Sequence, residues 1–249
     1  MQKICVVIPC YNEAKRLSIS VFQHYIETQN NLNFCFVNDG SSDNTIDILQ
    51  EFKSRYPERI LIHDQCPNQG KAEAIRTGMI KSLEWQSFEL LAYLDADLAT
   101  PISEIIKMGE IFENRKDIQF VMGSRIRRLG ADIQRSTRRH YLGRAFATAA
   151  SLLLKIGVYD TQCGAKVFVN ELIPLLFAEK FLSKWLFDLE LIFRLKAIWG
   201  IEKSIACMYE MPLSTWHEIK GSKVKIKDFM ILPFNLLKIY RFYRKKEKN

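Results

Sequence analysis

The 249-residue sequence predicts an α/β fold: a doubly wound, mostly parallel sheet with helices on both faces, followed by a basic amphipathic C-terminal helix. Three observations lead there. Short apolar, β-branched or aromatic runs alternate with segments of helical period along the first half of the chain. Polar residues cluster directly after those runs, at the edge where parallel sheets bind ligands. A composition of 48% hydrophobic and 26% charged residues, with 11 Gly and 7 Pro, suits one substantial core. It excludes disordered, collagen-like and coiled-coil chains.

Residues 3–8 and 33–37 read as buried strands, apolar and ended by turn residues. Between them, 14–28 carries Leu17, Val21, Phe22 and Tyr25 near helical spacing. A helix over 42–52 follows, with Ser41 or Ser42 placed to cap it. Strands at 60–63, 90–94 and 119–122 are separated by helices near 71–84 and 102–114. Beyond 123 the alternation breaks into an Arg-rich loop over 125–139, a helix near 142–156 and a loop at 160–168. A helix over 184–199 and a strand around 205–211 complete the expectation of one domain spanning 1–219.

Charge is distributed unevenly. The 36 Lys and Arg against 28 Asp and Glu leave a net +8, and residues 220–249 hold ten basic residues against Asp228 and Glu247. A second excess lies at 115–144, nine basic residues against Asp117 and Asp132. Two separate basic stretches imply anionic partners at defined places rather than one nucleic-acid footprint, and no aromatic-basic platform accompanies them. Cys5, Cys10, Cys35, Cys66, Cys163 and Cys207 are scattered without a CxxC pair, so neither a zinc framework nor a disulfide scaffold is expected. The opening MQKICVVIPCYNE lacks the form of a signal or transit peptide. The longest apolar stretch, 145–154, falls short of the roughly 18 residues of a membrane span. A reducing, cytoplasmic location is expected.

Four strand ends present polar groups: Pro9 to Glu13, Asn38 to Ser41, Asn68 to Lys71, and Asp95-Ala96-Asp97. Gly70-Lys71 lacks the spacing of a Walker phosphate loop. Asp95 and Asp97, two apart, point to the same side, and two converging carboxylates repel unless a cation lies between them. Mg²⁺ or Mn²⁺ prefers such ligands and completes its shell with substrate phosphates. A solvated turn pair is the alternative. The seven Arg between 125 and 144 read either as a phosphate clamp or as a solvated loop. His140 and His217 stand alone and suit structural roles, and Cys163 has no evident base beside it.

The segments VVIPCYNEAKRL, FVNDGSSDNT, NQGKAEAIRTGM and DADLATP, in that order and spacing, resemble the family-2 inverting glycosyltransferases of the GT-A fold. GSR at 123–125, RSTRRHYLGR at 135–144, DTQCGAKVF at 160–168 and WLFDLELIFR at 185–194 narrow the resemblance to dolichyl-phosphate glucosyltransferases and bacterial polyprenyl-phosphate relatives. It covers roughly 4–217.

The resemblance implies that Pro9, Tyr11, Glu13 and Asp39 line a nucleotide pocket, with Asp39 near the uracil or ribose. Lys71 stands near the donor, and Asp95 and Asp97 meet its diphosphate through Mg²⁺ or Mn²⁺. Arg125, Arg135, Arg138 and Arg139 gather the acceptor's phosphate, while the 160–166 loop and Asp188 or Glu190 shape the sugar and acceptor side. Three departures are visible: Asn38 where relatives often carry Asp, Ala72 where Gly is frequent, and DADLAT without the Gln of mannosyl-phosphate synthases. The last tilts the expected donor to UDP-glucose, with GDP-mannose as the alternative and a non-catalytic membrane-binding protein as another.

The implied chemistry needs no strong base. A phosphate monoester, with a second pKa near 6, is mostly dianionic at neutral pH and already nucleophilic. The protein has to align two anionic partners and neutralise the departing diphosphate; Arg suits the alignment through its bidentate fork.

In the tail, Phe229, Leu232, Leu236, Ile239 and Tyr243 share one helical face opposite Lys238, Arg241 and Lys245. Such a helix either lies in a membrane interface or packs on the domain. With a lipid-borne acceptor, 220–249 is expected to seat the enzyme on the cytoplasmic face of a membrane.

Overall fold

A computed structural model describes residues 2–219 and 226–246, with the side chains of Arg138, Arg139 and residues 226–230 outside that description. The chain runs β1 (Ile4–Cys10), α1 (Ile19–Thr28), β2 (Leu32–Asp39), α2 (Thr45–Arg55), β3 (Ile60–Gln65), α3 (Lys71–Trp85), β4 (Leu90–Leu94) and α4 (Ile102–Asn114). It continues with β5 (Phe120–Ser124), β6 (Asp132–Gln134), α5 (Thr137–Leu154), β7 (Ala165–Val169) and α6 (Ile173–Phe177). α7 (Phe187–Cys207), β8 (Met208–Pro212), β9 (Thr215–His217) and α8 (Ile226–Lys246) follow.

The seven-stranded sheet has the order β3-β2-β1-β4-β7-β5-β8. All neighbours are parallel except that β7 runs antiparallel to both β4 and β5. Alternate residues of each strand feed two cores, as the period of a strand requires. In β2, Phe34 and Phe36 join Phe22, Phe52, Ile105 and Phe112 on one face. Cys35 and Val37 join Ile75, Met79, Leu189 and Phe193 on the other. Helices therefore cover both faces, and the expected doubly wound architecture is present.

α3 lies close to the sheet. A side chain at Gly78 would meet Val7 Cγ1 at 2.4 Å and Val37 Cγ2 at 2.8 Å, so the bare glycine lets the helix backbone approach. That approach places Lys71, the first residue of α3, beside the end of β4.

Three expectations change. The segment read as a loop at 160–168 contains β7; a lysine inside AKVFV interrupts the apolar run that signals a buried strand. The Arg-rich loop holds β6 and the first turn of α5, so Arg138 and Arg139 lie on a helix. α8 turns Leu236, Ile239 and Tyr243 into the core, packing on α7 and α5, while Ile231, Phe234 and Leu237 are exposed. The face expected at a membrane is thus in good part a packing face, because the domain leaves apolar surface on α7 that burial favours covering. Phe229 lies outside the described side chains, and residues 220–225 and 247–249 of the basic tail lie outside the description altogether.

Candidate active site

The carboxyl ends of β1, β2 and β4 and the entrance of β7 share one edge of the sheet. After β1, Asn12 adopts a positive φ of 50° and laces its loop to the one after β2. Its backbone N donates to Ser41 Oγ (2.9 Å), and its Oδ1 accepts from Ser42 N (2.8 Å). Those serines, expected to cap α2, serve this bridge instead, and α2 begins at Thr45. Glu13 is buried, its backbone N donating to Thr45 Oγ1 (2.9 Å) and its carboxylate pairing with Arg16 (2.8 Å). Pro9 lies in β1 opposite Val37, and Tyr11 is exposed at the mouth.

Asp39 is buried and accepts four hydrogen bonds: Gln65 Nε2 (2.5 Å), Asn68 Nδ2 (2.9 Å), Gln69 N (2.8 Å) and Gly70 N (2.8 Å). Four donors fill the acceptor positions of a carboxylate. Asp39, expected near the base or ribose, therefore holds the 65–70 loop that leads into α3. Its neighbour Asn38 donates to Asp64 Oδ1 (2.7 Å), while its own Oδ1 is buried with no hydrogen-bond partner among the described residues.

At the end of β4, Lys71 Nζ lies 2.5 Å from Asp95 Oδ1. Burial works against the ammonium, but Asp95, Asp188 and Asp97 outweigh it and hold Lys71 above its ordinary range. Asp97 goes the other way: burial and the neighbouring Asp95 charge push its carboxyl up, although Ala99 N donates to it at 3.1 Å. Gly164, at the entrance of β7, lies against Asp95, where an added Cβ would meet Oδ2 at 2.3 Å.

The same 160–164 loop reaches the arginines. Arg125 pairs in bidentate fashion with Asp160 (2.6 and 2.8 Å) and donates to Gln162 O (2.9 Å). Burial opposes both charges, yet each partner stabilises the other, so Arg125 is raised and Asp160 falls well below the usual carboxylate range. Arg125, expected at the acceptor phosphate, is instead held inside as the anchor of this loop. Glu210 accepts from the backbone N of Tyr159 (2.8 Å) and Asp160 (2.7 Å), tightening the same anchor.

Arg135 packs over Gly143 of α5, and Arg127 donates to its carbonyl oxygen. Arg144 lies over the Tyr159 ring at 3.6 Å and donates to the Tyr159 carbonyl (2.9 Å). Burial and the charges of Arg127, Arg135 and Arg144 depress the His140 imidazole. A basic cluster therefore surrounds His140. Arg127 and Arg144 belong to it although no sequence motif singles them out, and the side chains of Arg138 and Arg139 lie outside those described.

Asp188 and Glu190 separate. Asp188 is buried beneath the end of β4, accepting from Lys166 Nζ (2.5 Å) and from the Tyr93 hydroxyl. Glu190 turns to the other side of α7, where it accepts from Leu182 N (2.8 Å), Arg194 Nη2 (3.0 Å) and Tyr243 Oη (3.0 Å). Through Tyr243, Glu190 fastens α8 to α7. His217 pairs with Asp132 (2.5 Å) across the β6–β9 ribbon.

The family model for glycosyl transferase family 2 matches residues 5–173. The chain belongs to glycosyl transferase family 2. Among relatives of this glycosyltransferase, the dolichyl-phosphate beta-glucosyltransferase ALG5C of Trichomonas vaginalis is 32% identical over 250 residues, covering 96% of this chain and 71% of the relative. The human dolichyl-phosphate beta-glucosyltransferase is 29% identical over 241 residues, 90% of this chain and 70% of the relative. Among solved structures, glucosyl-3-phosphoglycerate synthase from Mycobacterium tuberculosis, in complex with Mn²⁺, UDP and phosphoglyceric acid, superposes with a TM-score of 0.70 at 17% identity. That match covers 96% of this chain and 78% of the other, and shows the GT-A fold.

The family-2 glycosyltransferase is a nucleotide-sugar-dependent hexosyltransferase. Its acidic pair fits an oxygen-preferring divalent cation: burial and the Asp95 charge push the Asp97 carboxyl up, a cost that a cation relieves. Among the described residues no group of three or more His, Cys, Asp or Glu is placed to hold a metal. Such a site would take these two carboxylates from the protein and its remaining oxygens from a ligand.

Proposed function

We propose that this glycosyltransferase moves glucose from UDP-glucose onto dolichyl phosphate, or a related polyprenyl phosphate, with inversion at the anomeric carbon and with Mg²⁺ or Mn²⁺ at Asp95 and Asp97. One observation carries the reading: the 160–164 loop touches Asp95 through Gly164 and, through Asp160, holds Arg125 beside the basic cluster. Donor and acceptor sites thus share a wall. The named activity of the relatives and the UDP-bound structural neighbours support the choice of substrates.

A bound divalent cation supplies charge stabilisation for the departing diphosphate. Lys71 adds a second positive charge on the donor side, and Pro9, Tyr11 and Glu13 form the nucleotide wall. Arg135, with Arg127, Arg144 and the α5 residues Arg138 and Arg139, seats the acceptor's dianion, whose own oxygen is the nucleophile. Asp188 serves as an internal counter-charge rather than a base. Exposed Tyr141 and Leu142, which lie between Arg139 and Arg144 in α5, and exposed Ile231, Phe234 and Leu237 on α8 give a lipid surface apolar contacts. Among the described residues no helix is long and apolar enough to cross a membrane; in this reading the seating is peripheral, on the cytoplasmic face.

The test is transfer of radiolabel from UDP-glucose, or from GDP-mannose in a parallel arm, to dolichyl phosphate in detergent micelles with Mn²⁺. Labelled lipid is expected only with UDP-glucose, and Asp97→Ala should cut its formation at least about 100-fold without loss of fold. Label from GDP-mannose alone would overturn the donor, and full activity of Asp97→Ala would overturn the metal role.

A further inference from the structure

We propose that Lys166 is a positioning residue that sets the 160–164 loop against Asp95, and so tunes how tightly the acidic pair holds a divalent cation and a nucleoside diphosphate. This rests on the donor reading of Asp95 and Asp97. Lys166 is 0% exposed, in the middle of β7, which runs antiparallel to both its neighbours, with Tyr93 and Met122 as its register partners. Its ammonium donates to Asp188 Oδ1 (2.5 Å), Cys163 O (2.7 Å) and Thr161 O (3.3 Å). Three donors thus meet three acceptors, the full complement of an ammonium.

Two of those acceptors are carbonyls of the loop whose next residue, Gly164, has no room for a side chain beside Asp95. A shift of the Thr161 and Cys163 carbonyls therefore moves the surface on which Asp95 rests. Asp188 balances the charge of Lys166 and is itself steadied by the Tyr93 hydroxyl from β4, the strand that leads directly into Asp95. Loop and carboxylate are referred to one frame. Neither Met nor Arg reproduces it: the first donates nothing, and the second replaces a compact three-way donor by a planar fork. A buried ion pair is weak evidence for stability by itself, since apolar replacements of similar volume are often tolerated. Its worth here lies in where it puts the loop.

The experiment compares wild type, Lys166→Met, the charge-balanced double variant Lys166→Met/Asp188→Asn, and Gly164→Ala, as purified full chains. Each is titrated with Mn²⁺ and UDP by calorimetry, and its melting temperature is measured. Lys166→Met should melt earlier; the double variant should regain most of the melting temperature yet bind Mn²⁺–UDP about 10–100-fold more weakly, the usual cost of losing an outer-shell partner. Gly164→Ala should show the same weakening with an unchanged core. Wild-type affinity in a folded double variant would overturn the proposal, as would failure of both Lys166 variants to fold, which would make Lys166 a purely structural core residue. If wild type itself binds no Mn²⁺–UDP, the donor reading fails first.

Discussion

The buried pair of Arg125 and Asp160 shows what single residues decide in this site. Both oxygens of Asp160 are taken by one guanidinium, at 2.6 and 2.8 Å, and the pair is almost wholly enclosed. Burial alone would raise the Asp160 carboxyl; the guanidinium brings it far below the ordinary range. Because the folded-state value lies under the unfolded one, near 3.9, the stabilisation is complete above about pH 4 and is lost as the pH falls through the folded-state range. Asp160→Asn should therefore cost about 3–5 kcal/mol at pH 7 in denaturant unfolding. The gap from wild type should stay level down to about pH 5 and narrow only in stronger acid. The motif at 160–168 pointed to this loop, but nothing in the letters told which of its residues face inward. Asp39 was equally opaque: a carboxylate at a strand end looks the same whether it meets a ligand or four donors of a neighbouring loop.

Among the elements, the parallel strands and their helices were legible because each carries a clean period and ends in polar residues. β7 was not, since its period is broken by Lys166, a charge that becomes tolerable only when Asp188 arrives from α7, twenty-two residues later in sequence. α8 was legible as a helix, while its orientation depended on the bare apolar surface of α7, where Phe193 stacks on Tyr243 with centroids 6.0 Å apart. What is left outward includes Phe234, 74% exposed. Phe234→Glu with Leu237→Glu should lower flotation with anionic liposomes severalfold and leave the melting temperature nearly unchanged. Tyr243→Ala should do the reverse, because it removes a packed ring and the hydroxyl that Glu190 accepts. Equal flotation of the first variant would leave the outer face without a part in membrane seating.

At the scale of the molecule, the charge map and the fold agree. Residues 1–219 are neutral overall, and the net +8 of the chain equals the excess carried by 220–249. A body without net charge exerts no global pull on anions, so the proposed sites depend on local features: the Lys71–Asp95–Asp97 edge for the proposed donor and the arginines around His140 for the proposed acceptor. Ligand-linked stabilisation should follow that division. UDP with Mn²⁺ should raise the melting temperature, by about 2.7 kcal/mol of added stability at a hundredfold excess over the dissociation constant. UDP without metal should raise it far less, and GDP with Mn²⁺ should do little. A thermal-shift series reads all three, and equal shifts for UDP and GDP would contradict uridine selectivity.

The reversed direction of β7 has a consequence for how such a catalyst can be altered. Because this strand enters where its parallel neighbours leave, the segment joining α5 to it hangs over the reaction edge without helping to close the sheet's opposite rim. The connection over 155–159 is itself tied down, with Ile156 and Val158 buried in the core and Tyr159 N donating to Glu210 (2.8 Å), so a change of length there would disturb the core and the Arg125–Asp160 anchor together.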